Sequence, residues 1–82
     1  MNKFTEAYFL EECTRFRAML GERSFWNKGP EKCEAALRGL THVYLNIFND
    51  DGSSPSDEQM QKWAQHWEVL AREFNWRAAF AL

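Results

Sequence analysis

This 82-residue sequence has little of what chemistry-bearing sites are usually made from. Cys13 and Cys33 are its only cysteines, and His42 and His66 its only histidines. Neither pair has ligand spacing. There is no CxxC and no HExxH, and His66-Trp67-Glu68 only shares letters with the latter. No metal and no cofactor is therefore expected. The four glycines, Gly21, Gly29, Gly39 and Gly52, are scattered, which excludes a glycine-rich phosphate loop. No apolar run approaches the ~20 residues of a membrane span. The N-terminal Met1-Asn2-Lys3-Phe4-Thr5-Glu6 has an acid where a secretory leader would have its apolar stretch, so a cytoplasmic location is expected. Charge of one sign is scarce too. Ten basic and 12 acidic residues leave a net charge of −2, with no broad basic footprint for nucleic acid.

What is present is core material. Hydrophobic residues make up 45% of the chain and aromatics 16%, with four Trp and seven Phe. That composition excludes disorder, which goes with low hydrophobicity and high net charge. The length allows one domain, residues 1–82, and its small core leaves room for stabilisation by a partner.

The patterning is helical throughout. The first helix is expected over about 3–20, with Phe9, Cys13, Phe16 and Leu20 on one stripe and Gly21 as a left-handed stop. Phe4, Tyr8 and Met19 widen that stripe. Residues 22–29 read as a connector, where adjacent Phe25 and Trp26 cannot both easily point into a core, so at least one is expected to tuck under the helices and the other to be partly exposed. The second helix is expected over 30–49, opened by Pro30 at its first position with Glu31 in the first turn. Cys33, Ala36, Leu37, Leu40, Val43, Tyr44, Ile47 and Phe48 form its buried face, and Gly39 would allow a neighbouring helix to approach closely. Asn49 to Ser54 is the strongest break. The third helix is expected over 55–74. It starts either with Ser54 as cap and Pro55 first, or with Ser56 and Gln59 as a capping box. Met60, Trp63, Ala64, Trp67, Leu70, Ala71 and Phe74 follow at spacings of three and four. Asn75 is read as a break before a short C-terminal fourth helix, which would fold Trp76 back into the core, with a single helix continuing to the terminus as the alternative. The expected architecture is an all-α bundle of three main helices.

No residue set here suits catalysis. Ser53, Ser54 and Ser56 have acids but no histidine beside them, and a nucleophile needs an adjacent base. Cys13 and Cys33 sit on apolar stripes, where reduced, buried thiols are expected. Asp50 and Asp51 suit a turn before Gly52, with an acidic contact to a basic partner as the functional alternative. They lack the order of a calcium loop.

The informative residues are apolar ones off the core stripes: Phe25 and Trp26 on the connector, Leu45 on the second helix, and Val69 and Trp76 beyond the third helix's apolar face. Aromatic anchors are what protein interfaces enrich. The reading is thus a non-enzymatic protein that binds another protein, as an adaptor or as an inhibitor that occludes its partner. Phage and mobile elements encode many small inhibitors, so a target in a host system is one expectation. The alternatives are a homodimer through Phe4, Tyr8 and Met19, and a nucleic-acid-binding regulator using Arg15, Arg17, Arg23 and Lys28.

Phe4-Thr5-Glu6-Ala7-Tyr8-Phe9 resembles the start of the first helix in the colicin immunity proteins, which are small acidic four-helix inhibitors. Ser54-Pro55-Ser56-Asp57-Glu58 ahead of a helix is similar in kind. The tyrosine pair of that family's short third helix has no counterpart here, and the acidic bias of its binding face is missing. No residue role is carried over.

Overall fold

The computed structural model describes residues 3–82. Met1 and Asn2, the head of the segment read for a leader, lie outside the described residues. Four helices follow one another: α1 (Glu6–Leu20), α2 (Arg23–Trp26), α3 (Pro30–Leu45) and α4 (Asp57–Ala81). No strand occurs among the described residues, and the fold is the small all-α bundle that the periodicity indicates.

Two boundaries differ from expectation for one shared reason. Helix α1 starts at Glu6 rather than Lys3, because Thr5 is extended and its Oγ1 accepts a hydrogen bond from the Tyr8 N–H at 3.1 Å. That leaves Phe4 free to pair elsewhere. Its N–H donates to Asn46 O at 2.9 Å, and its carbonyl accepts from the Phe48 N–H at 2.8 Å. This single parallel bridge between Phe4 and Ile47 takes the backbone after Leu45 out of the helix. Helix α3 therefore stops four residues before Asn49, while Ile47 is still buried.

The stop after α1 is also different. Gly21 is right-handed, at φ −87°, and its N–H bonds back to Ala18 O at 3.2 Å, while the Glu22 N–H bonds to Met19 O at 3.0 Å. Glycine's freedom is used instead at Gly29, where φ +98° sets the chain into Pro30 and α3. Gly39 does not serve a close helix approach: a Cβ there would meet open space.

Helix α4 begins at the second of its two candidate starts. Ser56 Oγ accepts from the Gln59 N–H at 3.2 Å, and Gln59 Oε1 accepts from the Ser56 N–H at 2.8 Å. Ser56→Ala removes one half of this box and is expected to lower stability by about 1 kcal/mol in urea unfolding. From Asp57 the helix runs unbroken through Asn75 to Ala81. At 1.5 Å per residue it is about 37 Å long, which accounts for the 40 Å long axis of the molecule.

The core draws on all four helices. Phe9, Cys13, Phe16 and Leu20 from α1 are buried, as their spacing predicts, against Cys33, Leu40 and Val43 of α3 and Trp63, Leu70 and Phe74 of α4. Met60 departs from the predicted α4 face and is exposed, while Trp67 is half-buried. The buried indoles are hydrogen-bonded, as large polar-tipped side chains require. Trp63 Nε1 donates to Glu6 Oε2 at 2.7 Å, and Trp67 Nε1 to Thr41 Oγ1 at 2.9 Å.

Both cysteines are free and buried. Cys33 Sγ donates to Phe25 O at 3.3 Å, and burial pushes its thiol up from the usual range. Burial raises the Cys13 thiol to about 11, with the Arg17 charge opposing and the Glu12 charge adding. An unfolded Cys13 gives up its proton near 9.0, whereas the folded one keeps it to about 11. Rising pH therefore favours the unfolded chain across that window, by up to about 2–3 kcal/mol. Urea unfolding at pH 8 and pH 11 checks this. The pH-dependent loss is expected to shrink in Cys13→Ala.

Candidate functional site

Among the described residues no group of His, Cys, Asp and Glu side chains is arranged to hold a metal. Among the same residues no helix is long and apolar enough to cross a membrane. The fold sorts the seven candidate contact residues into three places.

Phe25 and Trp26 go to the core, at 3% and 9% exposure. The expectation that one of two adjacent connector residues faces solvent is corrected by α2. This single helical turn lies across the end of the bundle, so both rings drop into the concavity between α1 and α4. Phe25 meets Phe16 edge-on at 6.4 Å, and Trp26 lies against Phe74 at 5.4 Å. The Trp26 indole N–H then reaches Leu20 O at 3.0 Å.

Leu45, Asp50 and Asp51 gather at the α3–α4 end. Leu45 is 69% exposed and lies with Met60, Pro55 and Tyr44 around a shallow dimple of about 80 Å³. Both aspartates are exposed. The Asp51 carboxylate accepts from Ser53 Oγ at 2.7 Å and from the Ser53 N–H at 2.9 Å. Those hydrogen bonds hold it below the ordinary carboxylate range. Asp51 is thus already engaged in its own turn.

Val69 and Trp76 share the outer face of α4. Trp76 is not folded back into the core. Because the helix continues through Asn75, it stands out at 64% exposure. One turn further on, Phe80 is 80% exposed and meets Trp76 edge-on at 5.6 Å. Phe80 was not among the residues singled out from the sequence. Its signal was the spacing of four from Trp76 and eleven from Val69, which the expected break at Asn75 concealed.

A backbone carbonyl holds this end in place. Leu20 O, in the last turn of α1, has no partner within its own helix. It accepts from Trp26 Nε1 at 3.0 Å and from Arg77 Nη1 at 3.1 Å. The Arg77 cation also suits the negative end of the α1 dipole, and its Nε donates to Glu73 Oε1 at 2.9 Å. One carbonyl therefore ties α2 and the C-terminal half of α4 to the end of α1. Between them lies a cleft of about 630 Å³, with Leu20 and Trp26 on the inner wall and Trp76 and Phe80 on the outer one.

The residues of the alternative readings are placed as follows. Phe4 is half-buried, stacked on Tyr8 at 5.3 Å and edge-on to His42 at 5.8 Å. Tyr8 and Met19 border a groove between α1 and α3 with Ala36, Gly39 and Val43. Arg15 is paired with Glu12 at 2.8 Å. Arg17, Arg23 and Lys28 are exposed around the α1–α2 end, beside Glu22.

No protein family, curated protein or solved structure matches the chain.

Proposed function

We propose that the chain is a non-enzymatic docking protein that presents the Trp76–Phe80 pair of α4 to another protein, as an adaptor or as an inhibitor that occludes its partner. One observation carries this reading. Two large aromatic rings, in contact with each other, project from a rigid and well-anchored helix beside an open cleft. Three of the four tryptophans have an acceptor for the indole N–H: Leu20 O, Glu6 and Thr41. Among the described residues, Trp76 has none. An exposed, unpartnered tryptophan next to an exposed phenylalanine is the residue chemistry of an interface hot spot.

The test is site-specific photocrosslinking in the native host. A photoreactive phenylalanine analogue at position 80 is expected to trap one defined partner, and Trp76→Ala in the same chain to abolish that product. The same analogue in place of Leu45 or Tyr8 is expected to trap nothing comparable. A partner trapped from Leu45 or Tyr8 but not from position 80 would move the site away from α4.

A further inference from the structure

We infer that the outer face of α4 is self-complementary, and that its occupant is a second copy of this chain, docked antiparallel about a two-fold axis crossing α4 at Asn75. This goes beyond the docking reading above, in which the same face meets a different protein: at high concentration the face takes a second copy of the chain.

The first observation is the arrangement of the apolar residues. Val69, Trp76 and Phe80 are separated by seven and four positions. On a helix of 3.6 residues per turn they fall within about 20° of one line. All three are among the strongly exposed large apolar residues of the molecule, and the core lies on the other side of the helix at Trp63, Leu70 and Phe74. The line is continuous because α4 is continuous.

The second observation is the order of the charges beside that line. Glu73 and Arg77 lie along one flank, acid first and base four residues later, with Nε to Oε1 at 2.9 Å. A two-fold axis that lies in an interface across two antiparallel helices keeps each flank on its own side. It reverses only the direction of the chain. The copy therefore presents base first and acid second to the same flank. With the axis at Asn75, Glu73 and Arg77 are each two residues from the centre, so each faces its opposite charge in the copy. Glu73 Oε2 and Arg77 Nη2 are the atoms left for these contacts.

The same axis satisfies the apolar line. Trp76 lies one residue from the centre and meets its own copy there. Phe80 is five residues to one side and Val69 six to the other, or about 7.5 and 9 Å along the helix. Each Phe80 thus packs on the copy's Val69. One register accounts for all three exposed apolar residues and for the ion pair. A two-fold contact of this kind, in which one patch meets itself, closes after two chains and does not propagate. The interface is small, so the dimer is expected at high micromolar concentration rather than at nanomolar.

Sedimentation equilibrium of the full chain from about 10 µM to 1 mM tests the proposal. The wild type is expected to pass from monomer to dimer. Phe80→Ala, which removes an exposed ring, is expected to weaken the dimer at least about tenfold with unchanged circular dichroism. Glu73→Arg alone and Arg77→Glu alone each place like charges across the axis, and each is expected to be monomeric. Their equimolar mixture is expected to recover a dimer, because an all-basic flank then faces an all-acidic one. Arg77→Glu also loses the bond to Leu20 O. If its circular dichroism shows that it does not fold, the wild-type, Phe80→Ala and Glu73→Arg arms decide the question. A wild type that stays monomeric at 1 mM overturns the proposal, as does a dimer indifferent to Phe80→Ala and Glu73→Arg. A monomeric wild type whose position 80 still crosslinks a different protein would overturn the second copy as occupant and leave the docking reading standing. Crosslinking at position 80 that traps a second copy and no other protein would do the reverse.

Discussion

Trp26→Ala is expected to remove a large share of the stability of the domain, not a binding contact. The ring is 9% exposed, touches Phe25 and Phe74, and donates its N–H to Leu20 O. Truncating a buried aromatic of this size costs about 3–5 kcal/mol. A domain of this length has about 4–12 kcal/mol in total. Urea unfolding followed by circular dichroism should show a midpoint far below that of the wild type. The cavity does not act alone. Leu20 O loses one of its two donors, and the Arg77 bond then holds α4 to the end of α1 without α2 behind it. A loss of less than about 1 kcal/mol would place Trp26 at the surface and contradict this packing.

Asn75→Pro is expected to cost about 3 kcal/mol or more. Asn75 is exposed, so its side chain is not the cause. The proline ring would delete the hydrogen bond that an α-helical residue 75 donates to the carbonyl four residues earlier, and would clash with that carbonyl. Asn75→Ala should act the other way and stabilise by about 0.5 kcal/mol, because asparagine is a poor residue for a helix interior. The pair of variants separates a continuous helix from a broken one. If Asn75 capped a fourth helix, alanine would cost about 1 kcal/mol and proline would be tolerated. Thermal unfolding of the two variants beside the wild type reads both signs at once.

These two residues also mark where the sequence was and was not informative. The α1 stripe was legible because Phe9, Cys13, Phe16 and Leu20 repeat at one period over about three turns, and all four are buried. The Ser56–Gln59 box was legible because capping is a local interaction among four consecutive residues. Helix α3 was overextended because its end is set by a non-local bridge to Phe4, which no local pattern announces. One of Phe25 and Trp26 was expected to stay partly exposed, because adjacent residues on an irregular connector cannot both easily point into a core. A single helical turn laid across the bundle end was enough to bury both. Asn75 looked like a cap because of its residue type. The packing of Phe74, Arg77 and Ala78 on either side carries the helix past it.

The candidate site suffered from that last point. Val69 and Trp76 were identified one by one as apolar residues off the core stripe. Their relation to each other, and to Phe80, exists only if α4 is one helix. Leu45 was correctly read as projecting outward, but its neighbours Pro55 and Met60 come from the other side of the loop. Asp50 and Asp51 read equally well as turn residues and as an acidic contact. The Ser53 bonds to Asp51 favour the turn.

Trp76, alone among the four tryptophans, faces outward from a continuous α4, and the proposed contact with a second copy falls on it. The most direct measurement is a dilution series of ¹H–¹⁵N correlation spectra read at the four indole N–H peaks. The peak from Trp76 is expected to move with concentration. The peaks from Trp26, Trp63 and Trp67, tied to Leu20 O, Glu6 and Thr41, are expected to stay in place. A moving Trp26 peak beside a stationary Trp76 peak, or four peaks that do not move at all up to about 1 mM, would contradict it.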